Sequence, residues 1–116
     1  MRKYNLIIIL AATCMMVSGQ QIAEVIEYTP APGQFINTAS GSPEAALSLT
    51  TENGGLVSLG GFGGYIILRS SSAIENDPDN PYGVDFTIYG NAMSHWSEPG
   101  IVSVMKDENR NGVPDE

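Results

Sequence analysis

Apolar positions along this chain fall into short runs separated by turn residues, the signature of strands rather than of long helices. After an opening apolar stretch, candidate strands follow at Ile22 to Tyr28, Leu56 to Leu59, Tyr65 to Arg69, Val84 to Tyr89 and Ile101 to Met105. The clearest alternation sets Val84, Phe86 and Ile88 against Asp85, Thr87 and Tyr89, as a half-buried antiparallel strand requires. One helical turn is predicted near residues 43–47, where Ser42 suits the cap, Pro43 the first helical position and Glu44 the positive end of the helix dipole. Thirteen glycines and seven prolines punctuate the rest, so the expected class is all-β.

The opening stretch has a different character. Arg2 and Lys3 precede an unbroken apolar run from Leu6 to Val17, and the small residues Ser18 and Gly19 follow. That is the three-part pattern of a secretory signal peptide, with cleavage expected before Gln20. The run has twelve residues, against about 20 for a spanning helix, so no transmembrane span is expected in the mature chain. Cys14 after Ala11-Ala12-Thr13 offers a second reading as a lipoprotein anchor, but Thr13 suits that cut poorly and the following Met-Met-Val is apolar for a tether. Ordinary cleavage is the preferred reading, with residues 1–19 as leader, residues 20–116 as one module, and a secreted or cell-surface location.

Cleavage changes what the composition means. The single cysteine goes with the leader, so no disulfide framework remains and stability must come from packing or from metal. All thirteen acids stay, against only Arg69, Lys106 and Arg110, a formal charge of −10. Such a field repels phosphate backbones, which argues against nucleic acid as a partner.

The most specific local signal lies at the end of the chain. In calcium loops of the EF-hand type, oxygen ligands come from positions one, three and five, a glycine turns the chain at six, seven gives a carbonyl and nine often acts through water. Asp107, Asn109, Asn111, Gly112, Val113 and Asp115 fall on those places in order. Position twelve falls after Glu116, asparagine replaces aspartate at three and five, and the preceding segment reads as a strand. A structural Ca2+ loop is expected, with a polar turn carrying solvated acids as the alternative. Glu75, Asp77 and Asp79 are read as turn residues of the Asp-Pro and Asn-Pro type.

Other motifs exclude more than they assign. Gly60-Gly61-Phe62-Gly63-Gly64 lacks the lysine and the following helix of a phosphate loop, and reads as a tight bend against which another backbone or a ring packs. His95 is the only histidine and no nucleophile elbow occurs, so the chain is expected not to be an enzyme. Trp96 fits equally a sugar-stacking platform, with Tyr82 or Tyr89, Asn91 and His95 beside it and Glu98 near, and a plug at one end of the core.

Four phrases, Glu27-Tyr28-Thr29-Pro30-Ala31-Pro32-Gly33-Gln34-Phe35-Ile36-Asn37, Val57 to Leu68, Asn80 to Asn91 and Ser97 to Val102, together resemble the N-terminal part of secreted or surface-anchored proteins common among Bacteroidetes. The resemblance implies a jelly-roll-like antiparallel β-sandwich used for binding or display, with further strands after Glu116. The expected function is therefore a noncatalytic cell-surface or adhesion module that engages a glycan or another surface component. The alternative is an accessory part of a secreted polysaccharide hydrolase whose catalytic residues lie beyond residue 116.

Overall fold

The structure is a computed structural model that describes residues 3–10, 15–18, 21–111, 113 and 115, the first two stretches by their backbone. Cys14, the Gly19-Gln20 junction and Gly112 lie outside the described residues. Among the described residues the chain is all-β apart from one α-helix and two short 3-10 turns. Its strands are β1 (Lys3–Leu10), β2 (Met15–Ser18), β3 (Ile22–Thr29), β4 (Tyr65–Glu75), β5 (Thr87–Gly90) and β6 (Ile101–Met105). They form a four-stranded sheet of order β3-β4-β1-β6 and a two-stranded sheet of β2 and β5, antiparallel throughout. Among the described residues, no helix is long and apolar enough to cross a membrane.

Burial explains why β4 lies at the centre. Its alternate residues Ile66, Leu68, Ser70 and, beyond a serine run, Ile74 are buried. Ile22 and the segment Val57 to Leu59 join them, and α1 (Pro43–Ser48) closes the cluster with Ala46 and its C-terminal cap Leu49. Each such aliphatic side chain contributes about 1.5–3 kcal/mol when fully buried. The Ser42 hydroxyl accepts a hydrogen bond from Ala45 N at 3.1 Å and Pro43 stands at the first helical position, so the helical turn starts as its sequence predicts.

The edge strand β3 is protected against further pairing by two irregularities, between Ile22 and Glu24 and between Val25 and Glu27, and by the charges of those glutamates. The hydroxyls of Tyr65 and Thr29 both donate to Glu27, and they hold its carboxyl below the usual glutamate range. The stabilisation this implies is present above the ordinary glutamate pKa and is lost as pH falls through the lowered folded value.

Three predicted strands differ from their expectation. Leu56 to Leu59 forms no strand of either sheet, Val57 alone standing as a bridge residue: Ser58 N donates to Ser40 O at 2.7 Å, Ala31 N donates to Leu59 O at 3.0 Å, and the Tyr28 hydroxyl donates to Ser58 O at 2.6 Å. Its polar backbone is thus satisfied by loops and a side chain in place of a ladder. β4 runs on to Glu75, because Ser70, Ile74 and Glu75 find partners on β3 and β1. β5 starts only at Thr87, since the Asp85 carboxylate accepts from Asp77 N and Asn80 Nδ2 and so belongs to the preceding turn.

Candidate functional site

Two places concentrate chemistry: a cleft beside the glycine-rich bend and the acidic loop after β6. The cleft is built on close backbone contact. Gly60 sits at φ +77°, where a Cβ would stand 1.7 Å from Ala31 O, and a Cβ on Gly33 would stand 2.2 Å from Gly61 N. Only glycine lets these two bends touch. With four glycines around it, Phe62 has nothing to pack under and is wholly exposed.

Opposite, Met93 and Trp96 exchange backbone hydrogen bonds at 2.8 and 3.1 Å around Ser94-His95, with His95 at φ 66°. This small turn holds Trp96 half-buried at the cleft, while His95 stays exposed on the turn itself. The cleft has a volume of about 690 Å³ and is lined chiefly by Phe62, Trp96, Gln34, Glu98, Pro99 and Ile101. It therefore offers two aromatic side chains, an amide, a carboxylate and an aliphatic wall, the equipment for an amphipathic ring with hydroxyl groups. Of the residues the sequence grouped with Trp96, Asn91 acts one step back, its Nδ2 donating to Glu98 Oε2 at 3.5 Å. Tyr89 lies exposed on β5, and neither it nor His95 lines the cleft. Phe62 and Gln34 were not singled out from the sequence. An aromatic between two glycine pairs was the available signal for Phe62, since such a bend gives the ring no cover.

The acidic loop brings together the five residues read as ligands. Asn111 N donates to Asp107 Oδ1 at 3.1 Å and to Asn109 Oδ1 at 3.0 Å, and Val113 N donates to Asn111 Oδ1 at 2.7 Å. Asp115 closes the loop by accepting from Glu108 N and Asn109 Nδ2 at 2.5 and 2.9 Å, while its own N–H donates to Lys106 O at 2.8 Å. These side-chain turns wind the chain around Asp107, which is fully buried. Arg69 reaches it from β4 at 3.5 Å, pairs with Glu24 of β3 at 2.5 Å and donates to the Arg110 carbonyl at 3.3 Å. Nothing local to Arg69 or Asp107 announces that long-range link. Among the described residues no three or more His, Cys, Asp and Glu side chains come together as a metal group. The loop's donors are two carboxylates, two amides and a main-chain carbonyl, all of them hard oxygens of the kind Ca2+ takes.

No family model matches the chain, and neither a curated protein nor a solved structure does. Glu75, Asp77 and Asp79 add nothing to the cleft or the loop: Asp77 Oδ1 accepts from Asp79 N at 2.9 Å, which is turn chemistry.

Proposed function

We propose that this is an exported, noncatalytic binding module that takes a glycan in the Phe62–Trp96 cleft and is stiffened by Ca2+ in the Asp107–Asp115 loop. The observation that carries this reading is the cleft, in which two aromatic side chains from distant parts of the chain share one groove with Gln34 and Glu98. A sugar ring presents an apolar C–H face and a polar rim, and this lining meets both. The leader pattern and the resemblance to Bacteroidetes surface proteins support the location outside the cell, and the resemblance supports a jelly-roll-like sandwich as the architecture of the whole protein.

Trp96 is the only tryptophan, so its fluorescence reports on the cleft directly. Titration of the full chain with a panel of neutral and acidic oligosaccharides is expected to give a saturable change in emission with at least one member. Phe62→Ala should weaken that ligand about tenfold, equivalent to about 1.4 kcal/mol. Its melting temperature should stay where it was, because a wholly exposed ring packs against nothing. An emission spectrum unmoved across the panel would remove the glycan reading.

In the loop, Asp107, Asn109, Asn111, Val113 and Asp115 would hold the ion, and its binding free energy would add to folding free energy in a module without disulfides. For a site of the extracellular class, with Kd of about 10⁻⁴–10⁻³ M, calcium at ten times Kd stabilises by about 1.4 kcal/mol, several degrees in Tm for a chain this size. Asp115→Ala should abolish most of that calcium-dependent increment. Equal melting of the full chain in calcium and in chelator would leave the loop a polar turn.

A further inference from the structure

We infer that removal of the export segment opens, between β4 and β6, a docking slot for one extended apolar strand of a partner polypeptide. The inference rests on the export reading above. β1 lies inside the four-stranded sheet: it pairs with β4 from Lys3↔Glu75 to Leu10↔Tyr65 and with β6 from Leu6↔Met105 to Leu10↔Ile101. The order β3-β4-β1-β6 gives β4 and β6 no ladder of their own. Residues 3–10 belong to the same apolar leader that cleavage before Gln20 would remove. What remains is two facing strand edges about two strand spacings apart, roughly 9–10 Å, each with a row of unpaired N–H and C=O groups.

The gap does not close simply. Both flanking strands run antiparallel to β1, so they run parallel to each other, and direct pairing would need a new parallel register. Arg69 opposes such a shift from the far side, because its bonds to Asp107 and to the Arg110 carbonyl tie the end of β6 to β4 across the gap. The leader, in turn, defines the chemistry of what the slot accepts. The neighbouring positions on β4 are the buried Ile66 and Leu68 on one face and the half-buried Tyr65 and Ile67 on the other, so the occupant must be apolar on both faces over about five residues. At the Glu75 end a basic residue is favoured, and the formal charge of −10 left after cleavage draws a basic flank towards the whole module. The partner strand is thus a basic residue followed by an aliphatic, β-branched run, antiparallel to β4 and β6, held by main-chain hydrogen bonds and selected by alternate side chains.

The test uses the full chain with a specific protease site placed after Gly19, purified intact and then cut. A fluorescent peptide with the sequence of residues 3–10, made soluble by two added C-terminal lysines, is offered to the cut protein. The same peptide carrying Ile7→Asp and Ile9→Asp serves as the comparison. The expected result is either retention of the cut leader through gel filtration or its replacement by the labelled peptide at one per chain. In both cases the β6 amides and those β4 amides that face the slot rather than β3 should be protected from hydrogen exchange only while a strand is bound, and the doubly substituted peptide should bind at least tenfold more weakly. Loss of the leader without uptake of the labelled peptide overturns the inference, as does equal protection of those amides with the slot filled and empty. The mass of the N-terminus of the exported chain checks the leader reading separately: an uncut chain there would refute cleavage while leaving peptide uptake intact.

Discussion

Gly60→Ala is expected to cost about 3 kcal/mol or more, a large share of the roughly 5–15 kcal/mol by which a domain is usually stable. Two effects add. At φ +77° a side chain stands in the left-handed region, which costs about 1–2 kcal/mol. The new methyl would also stand 1.7 Å from Ala31 O, a backbone atom that cannot swing aside. Moving that segment breaks the Ala31 N to Leu59 O bond and the donation of Gly60 N to the Ser58 hydroxyl, both at the edge of the core. Gly63 separates the two effects, since it has φ +95° with nothing within 4 Å of a Cβ. Gly63→Ala should therefore show the conformational cost alone. Urea unfolding of both variants decides the matter: equal losses would mean that the close approach of the two bends contributes nothing.

The second large effect is expected at Leu68, at the middle of β4 and fully buried between neighbours on both sides. Leu68→Ala should cost about 2–5 kcal/mol, the transfer free energy of the lost atoms plus that of the cavity they leave. Leu47→Ala, on the outer face of α1 at 57% exposure, should stay within about 0.5 kcal/mol. The two leucines differ only in place, so chemical denaturation with an unchanged m-value isolates burial as the cause.

The strands that could be read from the chain are those whose pattern and partners agree. Ile101 to Met105 is a strand at the predicted bounds, β3 ends one residue later than expected, and the Ser42 cap and Pro43 start the helix as read. The readings that shifted turn on distant partners. Nothing local in Ser70-Ser71-Ser72 announces a strand, yet Ser70 pairs with Ile22 of β3, Ser71 N donates to Gln21 O, and the ladder with β1 resumes at Ile74. Leu56 to Leu59 is as apolar as a strand and as buried, but its hydrogen bonds go to Ser40, Ala31 and Tyr28. At the candidate site the loop residues from Asp107 to Asp115 were legible because their spacing is local. Trp96 was legible as a candidate only. Phe62, which lines the same cleft, lies thirty-four positions earlier.

Arg69 gives the fold a mechanical property. Its guanidinium joins Glu24 on β3, its own strand β4 and the loop beyond β6, so tension on the acidic loop is shared by several strands. A pull that would otherwise peel β6 from the sheet edge, one hydrogen bond at a time, is turned into shear across the sheet. That single side chain sets the direction in which the sheet resists load.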